Sequence, residues 1–170
     1  MKNYLLAISV ISVGLLSGPA AAQDRNNAIE VCADFEGAAG TQVATPLNWM
    51  GFRFEWPNNG PGHIMETSAI GGDYLREYGT VTITPPVLVG AIKVRVLSEG
   101  ESTTHDFELS IWDAAGEQLD MKEVHVAAKE YADITFEGSQ IAELQVAAAN
   151  GEQLNESGVQ KVCIWFASVL

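Results

Sequence analysis

Cations are scarce in this chain. Nine Lys and Arg stand against 22 Asp and Glu in 170 residues, a formal charge of −13, which excludes the basic surface that a nucleic-acid backbone requires and disfavours adhesion to anionic lipid. Cysteine is equally sparse. Cys32 and Cys163 are the only two, too widely separated and without the Cys-x-x-Cys spacing of a zinc site. The three histidines, His63, His105 and His125, form neither a His-x-His nor a His-Glu-x-x-His pattern. No Gly-x-Ser-x-Gly elbow and no glycine-rich phosphate loop occurs. Carboxylate pairs such as Glu99/Glu101 and Asp106/Glu108 arise by chance among 22 acids. The expectation is a protein that is not an enzyme, needs no cofactor and has no nucleic-acid partner.

Long hydrophobic runs are missing too. The apolar stretch Tyr4–Leu16 counts 13 residues, short of the roughly 20 that cross a bilayer. It follows Lys2 and precedes the small residues Ala20 and Ala22, the three-part pattern of a secretory signal peptide rather than a membrane anchor. Residues 1–22 are therefore expected to be cleaved and 23–170 to form one domain, secreted or periplasmic, with no stable membrane insertion. Export would allow Cys32 and Cys163 to pair as a disulfide; the alternative is two buried thiols.

What is present is alternation. Val31, Ala33 and Phe35 fall on one face of Glu30–Glu36, with Cys32, Asp34 and Glu36 on the other. Met50, Phe52, Phe54 and Trp56 alternate in the same way. Further strands are predicted at 79–84, 91–97, 106–112, 119–126, 131–136, 141–147 and 159–169, separated by turn signals such as Pro85-Pro86 and Asp113-Ala114-Ala115-Gly116. About nine short strands without a long helical period indicate an all-β antiparallel sandwich. The alanines in Ala127–Tyr131 and Ile141–Ala149 leave a helical alternative there. If Cys32 and Cys163 sit opposite each other in antiparallel neighbours, Asp34 faces Lys161 and Glu30 faces Trp165, because register steps in twos. The bridge would then lie on the outer face, as a staple across strand ends.

The segments Leu109–Leu119, Tyr131–Gly138 and Ile141–Val146, with a strand, Asp-x-x-Gly, strand turn at 113–116, resemble the galactose-binding-like jelly-roll domains, which include many carbohydrate-binding modules of secreted bacterial proteins. The resemblance implies a β-sandwich of jelly-roll type and a non-catalytic binding role, with glycan or extracellular matrix as ligand. It also implies a structural calcium ion between acidic residues of the first and last strands. Asp34 and Glu36 match the first part, but Lys161-Val162-Cys163-Ile164-Trp165 departs from the second. The alternative there is an Asp34–Lys161 surface pair.

The candidate ligand rim is the loop Trp56–His63, which combines an aromatic ring, Asn58, Asn59, glycines and His63. Asp73, Tyr74 and Tyr78 are placed at the same end, with aromatic stacking and hydrogen bonds as the mechanism. Alternation also turns Trp49, Trp112 and Trp165 outward, Trp112 sharing a face with Asp106, Glu108 and Ser110. The alternative for each Trp is burial under a loop or at a sandwich edge. The rival function is a structural or self-assembling envelope or surface protein that binds protein partners through edge strands.

Overall fold

The structure, a computed structural model, describes residues 28–57, 61–67, 70–76, 79–101, 103–149 and 157–167. The expected signal peptide lies outside these residues.

Among the described residues thirteen strands follow one another: β1 (Ala28–Asp34), β2 (Gln42–Val43), β3 (Leu47–Trp49), β4 (Phe52–Glu55), β5 (Gly62–Glu66), β6 (Asp73–Arg76), β7 (Val81–Thr84), β8 (Val89–Ser98), β9 (His105–Trp112), β10 (Gln118–Val126), β11 (Glu130–Ile141), β12 (Glu143–Ala148) and β13 (Ser157–Ala167). They form two antiparallel sheets. One is ordered β11-β8-β13-β6-β5-β2 with β1 also paired to β13, and the other β10-β9-β12-β7-β4-β3. Period-two alternation drives this packing, because each strand has one face to hide. On β9, Phe107, Leu109 and Ile111 are fully buried. On β8 and β13 the same holds for Ile92, Val94, Val96, Val162 and Ile164. An aromatic cluster fills one end, with the Phe35 and Phe54 rings 5.4 Å apart and edge-on at 61°. Burying each such ring stabilises the fold by about 1.5–3 kcal/mol.

The nine expected strands become thirteen for identifiable reasons. The run 49–56 is not one strand but the hairpin β3–β4, because Met50 and Gly51 take φ of 50° and 87°, the positive pair of a two-residue I′-like turn. Met50 thereby leaves the core face and is exposed, while Phe52, Phe54 and Trp56 keep it. β2, β5 and β6 are too short to show a period; β5 and β6 have Ile64 and Leu75, directly opposite each other, as their fully buried anchors. The helical alternatives fail. Residues 127–129 are a turn, in which Lys129 has φ 60° and Glu130 N donates to Ala127 O at 3.1 Å, and Glu130 and Tyr131 open β11. Segment 141–148 supplies β12, hydrogen-bonded to both β7 and β9. The Asp-x-x-Gly turn is held by its own side chain, since Asp113 Oδ1 accepts from Ala115 N at 2.8 Å and Glu117 N at 2.9 Å.

Cys32 and Cys163 are bonded and lie directly opposite in the β1–β13 ladder, with Asp34 across from Lys161 and Glu30 across from Trp165. The bridge is on the outer face as expected. It is not at the strand ends, however: Cys163 is buried within the paired stretch, directly opposite Lys93 of β8.

Candidate functional site

The expected loop-end site is rearranged by burial. Trp56 is only 4% exposed and belongs to the core. Its ring closes on Gly62, where a Cβ would stand 2.9 Å from the indole Cζ2, and its backbone N–H donates to Thr45 Oγ1 at 3.3 Å. Tyr74 is 2% exposed and lies over Gly158. Neither ring is available for stacking, which corrects that expectation. Asp73 is buried as well. Its Oδ2 accepts from Ala38 N at 2.9 Å and Ala39 N at 3.1 Å, so the carboxylate pins the turn after β1. His63 is half-buried on β5, across from Gln42 and Arg76. Asn58, Asn59 and Tyr78 lie outside the described residues.

Asp34 and Glu36 do not fit a calcium site. Among the described residues, the cluster that brings three potential metal-ligating side chains together is Glu30, Cys32 and Cys163, whose sulfurs are already bonded to each other. Among the described residues no third carboxylate joins Asp34 and Glu36, and a hard cation requires about six oxygens. The Asp34–Lys161 register pair also makes no ion pair.

Of the tryptophans expected to face outward, Trp49 is turned the other way: the β3–β4 hairpin sets it opposite Phe52, on the core side, and leaves Asn48 outside. Trp49 packs against Phe35, with ring centres 5.9 Å apart, and its indole N–H donates to the Asp34 carbonyl, so it seals a sandwich edge. Trp112, half-buried, stands on the outer face of the six-stranded sheet. Its Nε1 donates to Ser110 Oγ, two residues back on the same face, at 3.0 Å. That bond ties the indole along its own strand and occupies its polar edge. Across the ladder, Glu143 lies opposite Trp112 and Gln145 opposite Ser110, and Gln145 Nε2 donates to Glu143 Oε1 at 2.7 Å. The same face continues through Thr82, opposite Gln145, to Glu55. It reaches Arg53 beside Thr84, with Asn48 beyond.

Arg53 and Glu55 form a 2.7 Å ion pair. The Arg53 hydrogen bond holds the Glu55 carboxyl below its ordinary range, and Glu55 in turn raises the Arg53 guanidinium. At the other side of the sheet His125 Nδ1 meets Asp106 Oδ1 at 2.6 Å, beside Glu108 and Glu123. The result is an aromatic plane among fixed amide, carboxylate and guanidinium groups. Trp112 and its strand-mates were legible from alternation. Glu143, Gln145, Thr82 and Arg53 were not, because they join the face only through strand order.

No family model matches the chain, and no curated protein matches it in sequence. Solved structures do match. A xylan-binding domain of carbohydrate-binding-module family 22 from Paenibacillus barcinonensis is 11% identical with a TM-score of 0.50, over 82% of this chain and 95% of that domain. A family 29 carbohydrate-binding module has a TM-score of 0.44 at 8% identity, over 81% and 91% of the two chains. A family 86 xylan-binding module from Roseburia intestinalis has a TM-score of 0.40 at 10% identity, over 80% and 94%. The fold is that of the carbohydrate-binding-module jelly rolls.

Proposed function

We propose that the protein is a secreted, non-catalytic glycan-binding domain whose ligand lies on the outer face of the six-stranded sheet. Its jelly-roll fold, which it shares with a xylan-binding domain, supports the class of ligand. The observation that carries the reading is the Trp112 indole, tied to Ser110 and set beside the hydrogen-bonded Glu143–Gln145 pair. A sugar ring offers an apolar C–H face and a rim of hydroxyls. An aromatic plane with planar hydrogen-bonding groups at its edge matches both. Fixing those side chains beforehand lowers the ordering cost of binding. The disulfide fits an oxidising compartment, in keeping with export by residues 1–22. The loop-end residues Asn58, Asn59, His63 and Tyr78 are a secondary place of ligand contact in this reading.

A glycan array with the wild-type domain and Trp112→Ala tests the proposal. Retained glycans lost in the variant, with an unchanged thermal transition, are the expected result. A wild-type domain that retains no glycan overturns it.

A further inference from the structure

The outer face of the seven-stranded sheet carries a different chemistry. Arg95 on β8 has Lys161 of β13 directly opposite and Lys93 two residues away on the same face. Like charges directly opposite across a ladder are destabilising. A chain with nine cations to 22 acids nevertheless sets three of them together here. Asp133 does not balance them. It is engaged twice by Arg95, at 2.7 and 2.8 Å, and approached by Lys93 at 3.7 Å. Lys161 forms no ion pair with a described residue, although Asp34 lies across from it.

These groups line one concavity of about 120 Å³, formed by Glu30, Lys93, Arg95, Asp133, Lys161 and Cys163. Three cations face two carboxylates, one of them already committed. The space suits a single oxyanion rather than a whole sugar ring. At its margin Tyr131 is held with the Arg95 guanidinium 4.1 Å from the ring centre, and 48% of the residue is exposed.

We propose that this concavity is an anion subsite that takes the carboxylate or sulfate ester of an acidic saccharide, with Lys161 as its principal charge. The saccharide part rests on the glycan-binding reading above; the oxyanion part does not, because the two surfaces are on opposite sheets. Glu30 is the opposing charge at the rim, so its removal should act in the reverse direction to that of Lys161.

Calorimetric titration at low salt with an oligogalacturonide, a sulfated oligosaccharide and an uncharged oligosaccharide of equal length tests this, the two charged probes separating carboxylate from sulfate. At least one charged probe should bind more tightly than the uncharged one. Lys161→Gln should weaken it about tenfold and Glu30→Gln tighten it a few-fold, while Trp112→Ala leaves that difference between charged and uncharged probes in place. Charged probes that bind no better than the uncharged one, or affinities within twofold in both charge variants, overturn the subsite. Uncharged binding that fails in the wild type counts against the Trp112 surface alone. Inorganic sulfate binding that depends on Lys161 would still support the oxyanion part.

Discussion

Gly158 of β13 and Leu75 of β6 meet backbone to backbone: a Cβ on Gly158 would stand 2.2 Å from the Leu75 carbonyl oxygen and 2.8 Å from Tyr74 Cδ2. No rotamer change relieves a clash with main chain. Gly158→Ala is expected to cost about 3 kcal/mol, the upper part of the range for overpacking. Urea unfolding at neutral pH measures it, and a loss below about 1 kcal/mol would show that β6 and β13 can separate freely.

The covalent link between Cys32 and Cys163 spans a sequence separation of 131. Closing so long a loop restricts the unfolded chain, and Cys32→Ser/Cys163→Ser should lower stability by about 3–5 kcal/mol. Equal denaturation midpoints for the double variant and the oxidised wild type would refute this.

Two tryptophans should behave oppositely. Trp56→Ala opens a cavity in the core and is expected to cost about 3–5 kcal/mol of stability. Trp112→Ala should leave stability within about 1 kcal/mol while lowering glycan affinity at least tenfold. Ser110→Ala, which frees the indole N–H, should weaken the same affinity by about threefold. Calorimetry on all three variants distinguishes a packing role from a recognition role.

Alternation fixed which faces of β1, β4, β9 and β13 are buried, and the cysteine positions predicted the register of β1 against β13. Both hold because side-chain direction repeats every second residue regardless of what the strand pairs with. The Trp56 rim was misread for the same reason in reverse. Its ring follows Phe52 and Phe54 inward, and the composition of the loop after it carries no directional information. The polar tile around Trp112 draws on β4, β7, β9 and β12, which are distant in sequence, so no local pattern could assemble it. Met50 broke from its run through a positive φ at a hydrophobic residue, which has no strong compositional signal.

Asp133 provides the pH prediction. The hydrogen bonds from Arg95 hold its carboxyl below the ordinary value, and Lys93 adds to this by its charge. A carboxyl lowered on folding stabilises the protein above its unfolded pKa, and that contribution disappears as pH falls through the folded one. With a third of each side chain exposed, the effect should be modest, about 0.5–1 kcal/mol at pH 7. Asp133→Asn should show that deficit at neutral pH and match the wild type in acid. A deficit that is constant with pH would mean the pair acts by shape alone.

Between β10 and β11, the end strands of their respective sheets, Lys122 reaches across. Its Nζ donates to the Thr135 carbonyl at 2.6 Å and lies 4.6 Å from the centre of the Phe136 ring. This flexible side chain therefore ties the two sheets together along that flank. Release of that ammonium would remove this bond from sheet to sheet and the cation that covers Phe136 from the side. Amide protons along β11 near Thr135 should accordingly trade with deuterium through a subglobal route, well before the sandwich as a whole comes apart.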